Sequence, residues 1–130
     1  MTVKVHAYIG VTDLERGITF YRQALGLNLR RRLDDNWVEL EGASIPIFLL
    51  TSERPEQRQG YWTAHLDFLT DDLEAAERRA RAAGAVLVRA LQERVWGRMA
   101  NMVDPFGNPF DLIELAMGGY ARIQYANPSR

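Results

Sequence analysis

The chain has no cysteine among its 130 residues. This excludes disulfides, thiolate nucleophiles and cysteine-ligated zinc or iron–sulfur centres. Long hydrophobic runs are missing too: no stretch approaches the roughly 20 apolar residues that span a bilayer. The opening MTVKVHAYIGVTDL carries one lysine and no extended apolar segment, so no secretory leader is expected. Nor is there an excess of one charge. Lys and Arg number 16 against 17 Asp and Glu, a formal net charge of −1. That balance argues against a nucleic acid or a membrane surface as partner, since both ask for a basic excess. No G-x-G-x-x-G or G-x-x-x-x-G-K-[ST] phosphate loop occurs, no H-E-x-x-H, and no serine in a G-x-S-x-G setting. The hydrophobic fraction, 47%, is ordinary for a folded chain. A cytoplasmic protein of one domain, or of two half-size modules on one core, is the expectation.

The patterns that are present run in order along the chain. From Val3 to Val11 the odd positions are apolar and the even ones mostly polar or aromatic, which predicts a two-faced strand. Thr12 followed three places later by Glu15 reads as a capping box. Leu14, Ile18, Tyr21 and Leu25 then recur at helical spacing, and Gly26 supplies a stop. Leu27–Leu33 and Trp37–Glu41 read as strands around the turn-prone Asp34-Asp35-Asn36. The charge run Arg30-Arg31-Arg32 fits a solvated strand edge that resists unwanted pairing. Ile45–Thr51 predicts a further strand, with Pro46 favouring an edge position. Ser52 to Gly60 is polar and without period, as a linker would be.

Beyond that point the programme restarts. Trp62 to Leu69 alternates again, Thr70-Asp71-Asp72-Leu73 opens a helix that ends near Gly84, and Ala85–Ala90 and Val95–Val103 read as strands, the latter interrupted by Gly97. Asp104-Pro105-Phe106-Gly107-Asn108 is a turn signal, and Phe110–Leu115 the last strand. A single offset of 59 (65 minus 6, 72 minus 13, 73 minus 14) superposes His6 on His65, Asp13 on Asp72 and Leu14 on Leu73. Both halves therefore read strand–helix–strand–strand–strand. Neither half is expected to bury its apolar faces alone.

The opening HAYIGVTDLERGITFYRQALGL and the closing WGRMANMVDPFGNPFDLIEL resemble the vicinal oxygen chelate superfamily. This is the group of glyoxalase I, extradiol dioxygenases, fosfomycin resistance enzymes and bleomycin resistance proteins. The resemblance covers Val3 to Leu115. It implies an α+β fold in which two βαβββ modules form a curled sheet around a central funnel. The modules fall at residues 1–51 and 61–115, with a linker at 52–60 and a C-terminal tail at 116–130. It further implies metal ligands on the first and last strands of each module: His6, His65 and Asp111. The remaining ligand position falls on Leu49, which cannot bind a metal. Two imidazoles and a carboxylate suit a divalent ion such as Fe, Mn, Ni or Zn.

Each singled-out residue has a plainer reading beside the functional one. The two histidines are metal ligands or polar fillers of a funnel wall. Tyr8 shares the His6 face and supplies either a catalytic hydroxyl or wall packing. Asp67 shares the His65 face, as a hydrogen-bonding partner near a ligand or an ordinary cavity residue. Trp96 and Arg98 either stack on a planar ligand and hold an anion, or are a core tryptophan and a surface arginine. Glu114, three places after Asp111, points to the opposite strand face. The resemblance implies a divalent-metal-dependent enzyme (lyase, isomerase or dioxygenase type) on a small oxygen-bearing substrate. The competing reading is a metal-free protein that binds or sequesters a small molecule, of the bleomycin resistance type. A third is an assembly role with a vestigial funnel. A homodimer is expected under each; if the funnel is built from one module of each chain, as in relatives, His6 comes from one subunit and His65 and Asp111 from the other, the alternative being a site within one chain.

Overall fold

Asp13, not Thr12, caps the first helix. Its extended backbone (φ −143°, ψ 114°) lets its carboxylate accept the Arg16 N–H at 3.1 Å. A carboxylate at the positive end of the helix is the better partner, which moves the start one residue beyond the capping-box reading. Helix α1 then runs Leu14–Leu25 and stops at Gly26, whose φ of 71° most side chains resist. The repeat reproduces this device: Asp72 accepts the Ala75 N–H at 3.1 Å and opens α2, Leu73–Ala82.

The computed structural model describes residues 5–51 and 66–123. The 52–60 segment read as a linker, and His65, lie outside the described residues, as does the end of the tail. Around the helices lie β1 (Ala7–Val11), β2 (Asn28–Asp34), β3 (Trp37–Glu41), β4 (Ile47–Thr51), β5 (Leu66–Leu69), β6 (Val86–Arg94), β7 (Gly97–Val103) and β8 (Pro109–Leu115). They form two four-stranded mixed sheets, ordered β1-β4-β3-β2 and β5-β8-β7-β6. In each, the first strand pairs parallel with the fourth, and the helix crosses from the first strand to the second at the opposite edge of the sheet. The sheets are not closed. A short 3-10 turn, Gly119–Arg122, follows, and Tyr120 lies against Trp96 with ring centroids 5.2 Å apart.

Pro46 does not mark an edge. β4 lies inside its sheet, between β1 and β3. Pro46 sits just ahead of the strand and its carbonyl accepts the Ala7 N–H at 3.1 Å, so no ladder donor is lost. Gly97 likewise begins β7 rather than interrupting it.

One face of each sheet packs on the helices. Ile9, Val11, Val38, Leu40, Ile47 and Leu49 in the first module and Ala100, Met102, Phe110 and Leu112 in the second join α1 and α2 in one core cluster. Burying a side chain such as Leu49 contributes roughly 2 kcal/mol, and the shared cluster means that each module supplies the other's interior. No helix among the described residues is long and apolar enough to cross a membrane.

A polar tie crosses this core. Asp104 is buried, and one of its oxygens accepts the backbone N–H groups of Phe106 and Asn108, both at 2.8 Å. The other accepts the Tyr21 hydroxyl at 2.6 Å and the Asn108 amide at 2.7 Å. Asn108 also donates to the Gly10 carbonyl of β1 at 2.6 Å. The turn before β8 is thereby joined to α1 and β1 of the other module. Burial, and then the Asp104 charge, push the Tyr21 hydroxyl well above its ordinary pKa, so it stays a donor.

Candidate functional site

Strand parity decides which side chains face away from the helices. In the first sheet the register aligns Tyr8 with Phe48, Phe48 with Glu39 and Glu39 with Arg31. In the second it aligns Asp67 with Asp111, Asp111 with Asn101 and Asn101 with Arg89. Each set is one row across four strands, on the face opposite the core.

The first row is aromatic at its β1–β4 end. Phe48 stacks on Tyr8 with centroids 4.9 Å apart and planes at 12°. The His6 ring lies 5.0 Å from the same phenyl, and Trp37 6.3 Å from it. His6 and Tyr8 are both exposed. The register also corrects the ligand position placed on Leu49. Leu49 pairs with Ile9 on the core face and is fully buried. Phe48 is the residue that corresponds to Asp111, since a shift of one residue exchanges the two faces of a strand. Neither side chain can ligate a metal.

The second row is polar. Asn101 donates its amide N–H to Asp111 Oδ1 at 2.6 Å and accepts from Gln92 Nε2 at 2.6 Å. The Gln92 carbonyl in turn accepts from Arg94 at 2.7 Å. This directional chain fixes both amides and orients the half-buried Asp111 carboxylate. Asp67 stands beside it on β5, exposed.

Arg98 sits elsewhere. It pairs with Glu114 on the helix side of the second sheet. There it donates to Glu114 at 2.7 and 3.0 Å, and to both Glu74 oxygens on α2, one of them at 2.9 Å. Glu114 also accepts the Leu73 N–H at 3.1 Å, capping α2. Trp96 occupies the β6–β7 turn against Tyr120. The structure thus groups His6 with Tyr8 and Asp67 with Asp111, and places Arg98 on the opposite face from Asp111. Among the described residues, no three His, Cys, Asp or Glu side chains converge as a metal site. His65 is not among them.

Hydrogen bonds from Arg98 hold the Glu74 carboxyl down to about 2, from an ordinary 4.5. A carboxyl depressed in the folded state adds stability above its unfolded pKa and loses it as pH falls through the folded one. The melting-temperature advantage of wild type over Glu74→Gln should therefore be full at neutral pH. It should shrink between pH 4.5 and about 2. Calorimetry of both proteins across that range checks this, and a difference independent of pH would contradict it.

Gln92, Asn101, Arg89 and Phe48 were not singled out from the sequence. Period two from Asp111 does reach its own strand-mates. The cross-strand partners depend on register, which includes two irregularities between β6 and β7.

Two β-α-β-β-β modules, each a mixed sheet with one face on a shared core, define a protein of the glyoxalase/bleomycin resistance/dioxygenase, or vicinal oxygen chelate, superfamily. The chain belongs to the family described as Glyoxalase-like domain, whose model matches residues 6–113. An uncharacterized protein of Shewanella frigidimarina (strain NCIMB 400) is 28% identical over 124 residues, covering 85% of this chain and 92% of that one. A glyoxalase/bleomycin resistance protein/dioxygenase family enzyme from Burkholderia phytofirmans PsJN is similar in structure, with a TM-score of 0.70 and 22% identity, over 85% of this chain and 97% of that one. The fosfomycin resistance protein FosX from Listeria monocytogenes gives a TM-score of 0.73 at 16% identity, over 90% and 96% of the two chains. At these identities the solved structures establish the fold.

Proposed function

We propose that this protein is a divalent-metal-dependent enzyme of the lyase, isomerase or dioxygenase type, acting on a small oxygen-bearing substrate. The observation that carries the reading is the oriented Asp111 carboxylate, held at 2.6 Å by an amide that is itself held at 2.6 Å. Outer partners of this kind orient ligands and tune their affinity. The donor chemistry fits a divalent ion: Asp111 is the hard ligand, and the imidazoles of His6 and His65 are the borderline ones. Such an ion, when bound, supplies Lewis-acid stabilisation of charge developing on substrate oxygens. Tyr8, exposed and fixed against Phe48, offers a hydroxyl for proton transfer or orientation. Asp67 and Trp96 remain in this reading as substrate contacts. Arg98 has no part in this reading, since it is spent between Glu74 and Glu114 on the sheet face opposite Asp111.

His6 lies just ahead of β1 in the first module and Asp111 on β8 in the second, and both outward sheet faces carry exposed hydrophobic residues, Tyr8 and Leu50 on one and Leu69 on the other. This supports a homodimer in which each site combines His6 of one chain with His65 and Asp111 of another. Titration with Mn(II), Fe(II), Ni(II) and Zn(II) followed by calorimetry tests the assignment. Asp111→Ala and His6→Ala should each weaken binding about 100-fold, and Asn101→Leu about 10-fold. Mixed His6→Ala and Asp111→Ala protomers should recover one intact site per heterodimer. Unchanged affinity in both alanine variants would end the reading.

A second reading, a metal-free protein that binds a small molecule, is favoured by the aromatic group of Tyr8, Phe48 and Trp37, a surface suited to a planar ligand. Thermal stabilisation by aromatic compounds in chelator, with no response to any metal, would select it.

A further inference from the structure

The two rows described above are the same row, built twice. Tyr8, Phe48, Glu39 and Arg31 in the first module stand where Asp67, Asp111, Asn101 and Arg89 stand in the second. Both end on an arginine at the outer strand. In the first module that arginine is neutralised. Glu39 accepts from Arg31 at 3.1 Å and lies 3.5 Å from Arg30. In the second, the position of Glu39 is taken by Asn101, a neutral amide already engaged with Asp111 and Gln92. Arg89 is exposed, and no ion pair or hydrogen bond holds it among the described residues. The module that carries the oriented carboxylate is therefore the one that has lost the internal counter-ion of its arginine.

Asp111 and Arg89 are two strands apart, roughly 10 Å at the usual strand spacing. The adjoining row on the same face is apolar at Leu69, Ile113 and Met99. A ligand lying across it would meet a metal-ligating carboxylate at one end, an apolar strip alongside, and a guanidinium at the other end. We propose that Arg89 is a specificity residue that binds a carboxylate on the far end of the substrate, so that the site takes small carboxylates bearing a chelating pair of oxygens. The planar fork of arginine suits bidentate capture of that group. The proposal rests on the metal-chelate reading of Asp111 given above, and it names the class of substrate for that site.

The test compares two probes with one chelating head. Acetohydroxamate has no charged tail, while adipic acid monohydroxamate carries a carboxylate on a four-methylene spacer. Calorimetry on the Ni(II)-loaded full chain should show the tailed probe binding about tenfold tighter. Arg89→Gln should abolish that preference and leave acetohydroxamate affinity unchanged. Arg89→Lys should keep part of it, and added salt should erode it in wild type. Because Arg89 is exposed, both variants are expected to fold, which circular dichroism verifies. Equal binding of the two probes to wild type, or a preference that survives Arg89→Gln, overturns the proposal and leaves the chelate reading standing. If Ni(II) or acetohydroxamate fails to bind, the chelate reading has failed. Adipate alone then decides on Arg89: binding that is lost in Arg89→Gln upholds its role, and no binding overturns it.

Discussion

Asp104→Ala is expected to melt on the order of 10–20 °C below wild type, a loss of about 3–5 kcal/mol. The substitution removes one acceptor group and strands four donors. The Tyr21 hydroxyl, the Asn108 side-chain amide and the N–H groups of Phe106 and Asn108 all point at this carboxylate. A buried donor without a partner costs about 1–3 kcal/mol, and partial relaxation or an entering water recovers some of the total. The loss is also cooperative in space. Asn108 links the turn to Gly10 of β1, and Tyr21 links it to α1, so the damage falls on the joint between the modules. Tyr21→Phe, which removes one donor and leaves the other three in place, should cost about 1–2 kcal/mol. Differential scanning calorimetry of the two variants measures the grading. A melting point for Asp104→Ala within a few degrees of wild type would show that the tie is dispensable.

Gly97→Ala is the second large expected effect, about 3 kcal/mol. Gly97 begins β7 at a φ of 152°, and a β-carbon there would collide with the Glu114 backbone oxygen and come within 2.9 Å of Leu115 Cα. Neither obstacle is the movable end of a side chain. The β7–β8 ladder has to open where Gly97 pairs with Leu115, one position from the Arg98–Glu114 pair. Chemical denaturation should register the loss. Gly107→Ala is the control, since its φ of 87° is strained but no atom lies within 4 Å of the added carbon. It should cost about 1–2 kcal/mol. Equal costs for the two would mean that backbone strain alone, without the clash, accounts for Gly97.

Much of the framework was legible in local pattern. Alternation at Val3–Val11 and helical spacing from Leu14 to Leu25 depend on neighbours within a few residues; the helix formed at the expected bounds, and the strand over Ala7–Val11, the later part of the expected run. The offset that maps Asp13 onto Asp72 survived as two equivalent helix caps. Errors arose where a local signal had a competitor, in the next residue or in the tertiary pairing. Thr12 lost the cap to Asp13. Pro46 stood next to an interior strand without harm, because its missing N–H fell outside the ladder. Leu49 and Phe48 exchanged roles, because the pairing of β4 with β1 sets which of two adjacent apolar residues faces the core.

Periodicity along the chain was enough to read two strand–helix–strand–strand–strand repeats, because the backbone repeats of helix and strand are local properties, while their shared core is a tertiary fact. The histidines and Asp111 could be chosen from order along the chain and resemblance. The partners of Asp111 could not. Asn101 lies 10 residues away, Gln92 a further 9, and they meet only through register across three strands with irregular steps. Likewise, Arg98 looks like a free cation in the sequence until α2 brings Glu74 beside it. Arg89 looks no different from its neighbours until the fold leaves it without a carboxylate among the described residues. Long-range pairing decides which charges are satisfied, and chain-local pattern carries no information about it.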